Sequence, residues 1–385
     1  MRIGIVAGES SGDLLGAGLI RAIKARVPEA RFEGVAGPLM QAAGCEALYP
    51  AEALAVMGFT EVLSHLPRLL KVRRGLKRHF IAHPPDAFIG IDSPAFNLGL
   101  EHSLRRHGIP TVHYVSPSIW AWGPERVFKV GAAVDRVLAL LPFEPSLYEK
   151  HGFKSVFVGH PLADVIPDHP DRHALREQLH LQQDCRIVAL LPGSRRSEIK
   201  SLGRIFLDTA AWLYAQDPKL GFVIPAATPA INQLLKQQIR SFQPDLPVTL
   251  VEGHAHAVLG AADAALIASG TAALEAMLFK LPMVVAYKLS GLSYLYVRAV
   301  KRLDIPYVSL PNLLAGRELV PEFLQSDAEP EAMGATLLAL LDDAKLRDRQ
   351  IRGLMELRGV LRRGADDRAA AAVLDLIESR RAAQV

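Results

Sequence analysis

The stretch LLPGSRRSEI at positions 190–199 places small and basic residues where an apolar run gives way to a helical pattern. Gly193 permits a tight turn, and Ser194 and Arg195 follow at the start of the predicted helix. Exposed backbone N–H groups, the positive end of the helix dipole and a guanidinium together suit a diphosphate. The same segment also suits a capped turn with a solvated arginine, so taken alone it leaves both interpretations open.

A second strand-to-helix turn carries the sequence ALIASGTAALEAM at positions 265–277. The small residues Ser269, Gly270 and Thr271 would let a phosphate approach backbone donors. Glu275, about one turn further along the same helix, can accept both hydroxyls of a ribose. The alternative is a Ser/Thr N-cap followed by an acid that the helix dipole favours. Together with the first stretch, this turn predicts a nucleotide-diphosphate site.

A carboxylate stands at the end of another apolar run, in the segment GIDSPAFN at positions 90–97. Asp92 follows the run directly and precedes Pro94. Ligands of open parallel sheets bind beyond the carboxyl ends of the strands, so an acid at this position predicts a general base. The alternative is an Asx-type turn that introduces the proline.

The segment HYVSPSIWAWGPERVFKV at positions 113–130 holds two of the three tryptophans, Trp120 and Trp122. Aromatic side chains after a strand can stack on a sugar or line an acyl groove, and they can equally pack the loop onto its own domain. The residues of this segment expected on the acceptor side are Ser116, Trp120, Trp122 and Arg126. Arg126 is a candidate contact for an anionic acceptor, with a solvated side chain as the alternative.

The first apolar run ends in GESSGD at positions 8–13, which resembles a phosphate loop. Its glycine spacing is not that of a dinucleotide-binding turn, no lysine follows, and Asp13 would repel a phosphate. We therefore expect Glu9, Ser10 and Asp13 to orient sugar hydroxyls on the acceptor side. The alternative for Asp13 is a cap of the first helix.

The segment at positions 56–80 combines helical spacing of apolar residues with six lysine or arginine side chains between 68 and 79. A basic helix with an apolar face is typical of a surface that meets anionic lipid, whereas the commoner alternative is a core-facing helix with a solvated basic side. Pro67 argues against one unbroken helix. The expected membrane contacts are Leu66, Arg68, Leu69, Leu70, Lys71, Val72, Arg73 and Arg74.

About twelve apolar runs alternate with helical stretches along the chain, the last of them YVSLPN at positions 307–312. Near-continuous apolar strands alternating with helices indicate parallel sheets covered on both faces, and twelve exceed one ordinary doubly wound sheet. We predict an α/β protein of two Rossmann-like domains facing each other across a cleft. The expected divisions are 1–165, 166–345 and a helical segment 346–385 that crosses back or is exchanged between subunits.

The amino-acid composition of the chain argues against several classes of function. Half of the residues are apolar and the net charge is only +4, which indicates a globular chain and gives no reason to expect nucleic acid. Two widely separated cysteines favour a reducing compartment, and thirteen scattered histidines predict no metal site. With neither a signal peptide nor an apolar span of ~20 residues, we expect a cytoplasmic protein, which can still sit on a membrane.

In order along the chain, these segments resemble one family, the lipid-A-disaccharide synthases, inverting glycosyltransferases of the two-Rossmann-domain (GT-B) type. The resemblance covers essentially the whole chain, and its motifs include VAGESSGDLLGAGLI, GIDSPAFN, HYVSPSIWAW, LPFE, GHPLAD, VALLPGSR, ASGTAALE and YVSLPNLLAGRELVPE. It implies that UDP-2,3-diacylglucosamine donates its sugar to the 6-hydroxyl of 2,3-diacylglucosamine 1-phosphate, giving UDP and a β-1,6-linked disaccharide 1-phosphate.

The same resemblance implies no metal or other cofactor and action at an anionic surface, the inner face of the inner membrane of a Gram-negative bacterium. Residues 1–165 then become the acceptor and membrane-facing domain, and residues 166–345 the UDP-sugar-binding domain. A homodimer with exchanged C-terminal segments is left open.

The resemblance also assigns roles to residues of this chain. Asp92 falls on the family's essential aspartate and Arg195 on its essential arginine. The implied roles are base for Asp92, diphosphate contact for Arg195 and ribose contact for Glu275. Residues near the nucleotide would further include Asn312, Arg317 and Glu318. One departure is Ala95, where the family commonly has a second acid, so no role for that carboxylate carries over.

Two other functions stay open. A UDP-N-acetylglucosamine 2-epimerase, or another two-domain UDP-sugar enzyme with a soluble substrate, would share the nucleotide site but gives no reason for the segment at 56–80. A non-catalytic, membrane-associated sensor of nucleotide sugars would bind without turnover, and the position of Asp92 argues against it.

Overall fold

The computed structural model describes residues 1–54, 59–123, 125–288 and 306–383. The chain divides into two compact units, Met1–Asp164 with Val360–Val385, and Val165–Gly359. The helical segment expected from residue 346 therefore belongs to the second unit up to Gly359 and to the first unit from Val360.

The first unit is built on a parallel sheet of seven strands. In chain order these are β1 (Arg2–Ala7), β2 (Arg31–Ala36), β3 (Cys45–Pro50), β4 (Ala87–Ile91), β5 (Thr111–Tyr114), β6 (Arg136–Ala139) and β7 (Ser155–Phe157). They are arranged as β3-β2-β1-β4-β5-β6-β7. Every residue of β4 and β5 is buried, as their apolar runs predict. The strand order reverses between β1 and β4, where Ala7 lies opposite Ile91.

Eight helices are described in the first part of the chain. They are α1 (Ser10–Arg26), α2 (Pro38–Ala42), α3 (Phe59–Ala82), α4 (Pro94–Arg105), α5 (Ile119–Trp122), α6 (Arg126–Ala133), α7 (Glu144–Glu149) and α8 (Pro161–Val165). Contrary to the expectation, α3 continues through Pro67. The proline removes one backbone hydrogen bond from a long helix, and the following turns bury Val72, Leu76 and Phe80 in the core.

The second unit contains a parallel sheet of six strands. In chain order these are β8 (Ile187–Leu191), β9 (Gly221–Ala226), β10 (Val248–Glu252), β11 (Ala264–Ala268), β12 (Met283–Tyr287) and β13 (Glu322–Leu324). They are arranged as β10-β9-β8-β11-β12-β13, so the order reverses between β8 and β11. Both sheets thus have the doubly wound arrangement, which confirms the predicted class of an α/β protein with two Rossmann-like domains.

The remaining helices follow the strands of the second unit and close the chain. They are α9 (Arg172–Gln178), α10 (Arg196–Gln216), α11 (Pro229–Phe242), α12 (Ala255–Ala261), α13 (Thr271–Leu278), α14 (Leu310–Ala315), α15 (Pro330–Asp342), α16 (Ala344–Leu361) and α17 (Ala365–Ala382). The run YVSLPN, predicted as a strand, instead leads into α14. Ser309 caps that helix and Pro311 lies in its first turn, which are typical helix-start positions.

The last helix, α17, packs on α1 of the same chain. Ala369, Val373 and Ile377 join the core cluster that contains β1 and α1. The helices approach closely at Gly18, where a Cβ would overlap the carboxylate of Asp366. Exchange of this segment between subunits stays a prediction. Among the described residues, no helix has both the length and the apolar character needed to span a bilayer.

Candidate functional site

The carboxyl ends of β1 and β4 lie side by side where the order of the first sheet reverses. Glu9 and Ser10 follow β1 at the start of α1 and are exposed. Asp92 follows β4. A Cβ on Gly8 would lie 3.3 Å from the hydroxyl oxygen of Ser93, so the two turns pass close to each other. Ligands of open parallel sheets bind at such a switch point.

Asp92 sits in a restrained turn. Asp92 and Ser93 both have left-handed backbone conformations, with φ of 49° and 44°. The N–H of Asp92 donates to the carbonyl of Tyr114 at 2.8 Å, and the side-chain amide of Asn97 donates to the carbonyl of Asp92 at 2.8 Å. In the described part of the chain, the half-buried carboxylate of Asp92 makes no hydrogen bond or ion pair. It is therefore available to accept a proton.

A polar cluster follows the next two strands, β5 and β6, on the same edge of the sheet. Ser116 and Tyr148 share a hydrogen bond of 2.8 Å between their hydroxyls. Glu144, only 3% exposed, accepts the N–H of Leu141 at 3.0 Å. Burial raises the pKa of the Glu144 carboxyl to about 7, partly offset by the Leu141 N–H and the side chain of Trp120. The sequence reasoning missed Glu144, although LPFE contains it, because an acid at a helix start is common.

The loop after β5 packs against other residues of the first unit. Val115 has a φ of 81°, a rare conformation for a β-branched residue. The ring of Trp120 meets Phe143 edge to face with centroids 5.8 Å apart, which matches packing of the loop onto its own domain. Arg126 is exposed at the start of α6. The side chain of Trp122 lies outside the described residues.

Asp13 caps a neighbouring helix, which differs from the expected role on the acceptor side. Its two carboxylate oxygens accept the N–H groups of Leu39 and Met40, each at 2.9 Å. The side chain is buried at the N-terminus of α2. This corrects the expectation, because Asp13 caps a helix of the next βα unit and is engaged at both oxygens. Neither sugar binding nor a cap of α1 fits these contacts.

In the second unit, the turns after the neighbouring strands β8 and β11 contain the residues that the sequence predicts for a phosphate site. Gly193 and Gly270 have φ of 127° and 156°, conformations that side chains rarely adopt. Arg195 is the N-cap of α10, with a side chain that is 80% exposed. Thr271 begins α13, whose N-cap glycine provides no side-chain cap. The structure thus brings two helix N-termini and a guanidinium to one edge.

A carboxylate of the chain itself occupies the N-terminus of α10. Glu198 accepts the N–H groups of Ser194 and Arg195 at 2.8 and 3.1 Å, both through Oε2. Its other oxygen lies 3.3 Å from the Arg195 guanidinium. The sequence reasoning missed Glu198, because an acid three residues after an N-cap is a common capping-box residue.

Glu275 lies one turn into α13 and is paired. Its Oε2 lies 3.4 Å from Nε2 of His256 on α12, and this hydrogen bond raises the pKa of the His256 imidazole. Among the described residues, the other carboxylate oxygen of Glu275 has no partner. That oxygen can accept a hydrogen bond from a ligand. No group of three His, Cys, Asp or Glu side chains in the described segments is placed to hold a metal ion.

Asn312 is a scaffold residue. Its buried side-chain amide donates to the Val320 carbonyl and to the Glu322 carboxylate, both at 2.8 Å. Its oxygen accepts the N–H groups of Leu319 and Val320 at 2.7 and 2.8 Å. All four hydrogen-bonding positions of the amide are used. This corrects the expectation that Asn312 itself contacts a nucleotide, and it shows Glu322 as a partner that spacing alone did not reveal.

Two loops lie beside this scaffold. The hydroxyl of Ser269 donates to the carbonyl of Val308 at 2.7 Å, which ties the turn after β11 to the segment before α14. Arg317 and Glu318 follow Gly316 in an exposed turn. Their side chains are accessible to a ligand, whereas the Ser269 hydroxyl serves the loop.

The described part of α3 buries part of the predicted membrane face. Val72 and Leu76 lie in the core of the first unit, and Leu69 packs against the same core. The expectation for Val72 is therefore wrong, because the apolar stripe of the helix faces the sheet. Leu66 is 43% exposed and Leu70 is half-buried. The exposed basic side chains of the helix are Arg68, Lys71, Arg74, Lys77 and Arg78. Residues 55–58 and the side chains of 59–65 lie outside the description.

Sequence comparison identifies close relatives. A family model described as lipid-A-disaccharide synthetase matches residues 3–374. A lipid-A-disaccharide synthase of Pseudomonas aeruginosa is 51% identical over 381 residues, covering 99% of both chains. One from Serratia proteamaculans is 49% identical over 379 residues, covering 98% of this chain and 99% of the relative.

Solved structures share the fold at low sequence identity. A putative UDP-N-acetylglucosamine 2-epimerase from Listeria monocytogenes superposes with a TM-score of 0.67 at 13% identity, covering 98% of this chain and 96% of that one. The UDP complex of MnaA from S. aureus gives 0.66 at 15% identity, with the same coverage. The calicheamicin glycosyltransferase CalG4 gives 0.58 at 18%, covering 98% of both chains. At these identities the likeness establishes the two-unit fold alone.

Proposed function

The chain belongs to the lipid-A-disaccharide synthase family of glycosyltransferases, and we propose that it joins two 2,3-diacylglucosamine units with inversion. The donor is UDP-2,3-diacylglucosamine, the acceptor is the 6-hydroxyl of 2,3-diacylglucosamine 1-phosphate, and the products are the β-1,6-linked disaccharide 1-phosphate and UDP. One observation carries the proposal: the carboxylate of Asp92, without a partner among the described residues, at the switch point of the first sheet. An inverting transfer needs a base for the acceptor hydroxyl.

In the proposed reaction, Asp92 takes the proton of the 6-hydroxyl while the hydroxyl oxygen attacks C1 of the donor sugar. The bond between C1 and the diphosphate oxygen breaks on the opposite side, and UDP leaves with the electron pair. The configuration at C1 is therefore inverted in one displacement. The protonated Asp92 then returns its proton to water.

We assign the leaving diphosphate to the turns after β8 and β11. The guanidinium of Arg195 and the first-turn N–H groups of α10 and α13 are placed to stabilise the negative charge that grows on UDP. The second oxygen of Glu275 accepts a ribose hydroxyl while the first keeps its bond to His256. Arg317 and Glu318 are exposed in the turn that follows α14, the helix that contains Asn312.

The acceptor is assigned to the carboxyl edge of the first sheet. Glu9 and Ser10 are exposed beside the turn of Asp92 and suit the hydroxyls of the acceptor sugar. Arg126 is exposed at the start of α6 and suits the 1-phosphate. Ser116 belongs to the buried cluster with Glu144 and supports the loop instead of meeting the sugar.

The basic face of α3, defined by Arg68, Lys71, Arg74, Lys77 and Arg78, supports a location on the cytoplasmic face of the inner membrane. Both proposed substrates carry acyl chains and so reside in a bilayer. Juxtaposed basic residues bind anionic lipid headgroups. We therefore propose that this face holds the protein on the membrane surface, with the exposed Leu66 at its margin.

The direct test is incubation of the purified protein with both diacylated substrates. We expect UDP and disaccharide 1-phosphate in equal amounts, with a β coupling constant at the new anomeric proton, and no product when either substrate is omitted. UDP-N-acetylglucosamine is supplied alone in a second reaction. Its conversion into an epimer, or UDP binding without any product from either reaction, would overturn the proposal.

A further inference from the structure

The turn predicted to hold the diphosphate already holds an anion of the chain. Glu198 takes the backbone N–H groups of Ser194 and Arg195 with one oxygen and approaches the Arg195 guanidinium with the other. Gly193 makes room for it, because a Cβ at that position would overlap the Glu198 side chain. Burial raises the pKa of the Tyr287 phenol at the end of β12, and the nearby Glu198 carboxylate raises it further.

A phosphate and this carboxylate need the same donors. Two adjacent N–H groups at a helix start and one guanidinium form the common recognition set for a phosphate group. In the structure both N–H groups and Nη1 of the guanidinium contact Glu198, so a bound diphosphate can use these donors only after the carboxylate has left. Glu198 is attached by a flexible side chain and is a third exposed, which permits that movement.

We infer that Glu198 is an internal competitor of the diphosphate, which takes up the same donors and so weakens the affinity for UDP. The inference rests on the nucleotide site proposed above and adds to it a residue that sets nucleotide affinity. After transfer, return of Glu198 to the same donors favours release of UDP.

The expected size of the effect follows from occupancy. When a binding-competent state is only a fraction of the population, the apparent dissociation constant rises by the inverse of that fraction. If Glu198 fills the donors about nine-tenths of the time, its removal should tighten UDP binding about tenfold. A ligand without phosphates does not compete for these donors, so uridine should bind with unchanged affinity.

The experiment measures UDP and uridine affinity by calorimetry for the wild type, Glu198→Ala and Glu198→Gln. We expect UDP to bind about tenfold more tightly to Glu198→Ala and by a smaller factor to Glu198→Gln, with uridine unchanged. The matched control is Glu331→Ala, which removes an exposed acid from the first turn of α15 and should leave UDP affinity unchanged. If Glu198→Ala fails to fold, the UDP affinity of Glu198→Gln alone tests the inference.

Unchanged or weaker UDP binding to the folded Glu198 variants would overturn the inference, since a purely structural cap only loses order when it is removed. Arg195→Ala separates this failure from failure of the proposed nucleotide site. If Arg195→Ala weakens UDP binding while Glu198→Ala does not tighten it, only the inference fails. If neither variant changes UDP affinity, the nucleotide is held elsewhere and both proposals fail.

Discussion

Three residues with side chains adopt left-handed backbone conformations at the carboxyl ends of β4 and β5, namely Asp92, Ser93 and Val115. Each such conformation costs about 1–3 kcal/mol and persists only where the surrounding structure enforces it. Here the carbonyl of Tyr114 and the amide of Asn97 fix the turn of Asp92. Backbone strain therefore lowers the stability of the first unit at the turn that carries the Asp92 carboxylate.

The buried carboxyl of Glu144 predicts a pH-dependent stability. Its pKa rises from 4.5 in the unfolded chain to about 7 in the folded one. As the pH rises between these values, the unfolded chain releases a proton that the folded chain keeps, so stability is lost. Glu144→Gln avoids this loss. We expect urea unfolding to show the variant more stable than the wild type by about 2–3 kcal/mol at about pH 8, and the difference to vanish near pH 4.

The control for that measurement is Glu149→Gln, an exposed acid at the end of the same helix. It should change the free energy of unfolding by less than about 0.5 kcal/mol at both pH values. A difference between Glu144→Gln and wild type that is equal at both pH values would contradict the raised pKa.

Helix α3 shows why a basic amphipathic pattern does not by itself identify a membrane surface. Its apolar stripe reaches the core through Val72 and Leu76, while the basic side chains form the exposed face. Hydrophobic periodicity reports that one face is covered, and it does not report what covers it. The membrane proposal therefore depends on the charges of α3 and not on its leucines.

Neutralising this face should release the protein from anionic membranes. We expect the triple variant R68Q/K71Q/R74Q to bind phosphatidylglycerol-containing vesicles about a hundredfold more weakly, at roughly 1 kcal/mol per charge, in a flotation or sedimentation assay. The matched control is K345Q/R349Q/R352Q, three exposed basic residues of α16 in the second unit. Equal losses for both triples, or none for the first, would contradict docking through α3.

At the level of the whole chain, α17 completes the core of the first unit. Ile377 is 2% exposed there, so Ile377→Ala should lower the free energy of unfolding by about 2–5 kcal/mol in urea. A segment that packs within its own chain predicts a melting temperature independent of protein concentration, whereas a segment exchanged between subunits predicts one that rises with concentration. Glu378→Ala, an exposed neighbour, is the control. A melting temperature that stays constant over about a hundredfold increase in concentration would contradict exchange, and one that rises would show that the chains associate.

The central strands could be predicted because strands buried on both faces read as unbroken apolar runs, such as the IVALL of β8. The outer strands β3 and β13 were not predicted, because CEALYP and the three-residue EFL contain none of the β-branched residues typical of strands. YVSLPN was misassigned because its apolar residues flank a cap and a proline. Local spacing alone does not distinguish a short strand from a helix start.

The positions of the site residues in the fold could be predicted better than the contacts that their side chains make. Asp92 stands where a strand of the first sheet ends, and Arg195 and Thr271 stand where strands of the second sheet end. Each parallel sheet brings such positions to one of its own edges. The contacts of Asp13 with Leu39 and of Glu275 with His256 join residues from different βα units. These pairings depend on how helices pack over the sheet, which the local pattern does not encode.

Asp92→Asn tests the central claim most directly. Asparagine tolerates the left-handed conformation and keeps the size of the side chain, so the variant removes the base with little change in the fold. In the disaccharide assay we predict that kcat falls about a hundredfold or more, while the Kd for UDP stays within about twofold of wild type. Turnover at the wild-type rate, with UDP binding intact, would show that Asp92 is not the base.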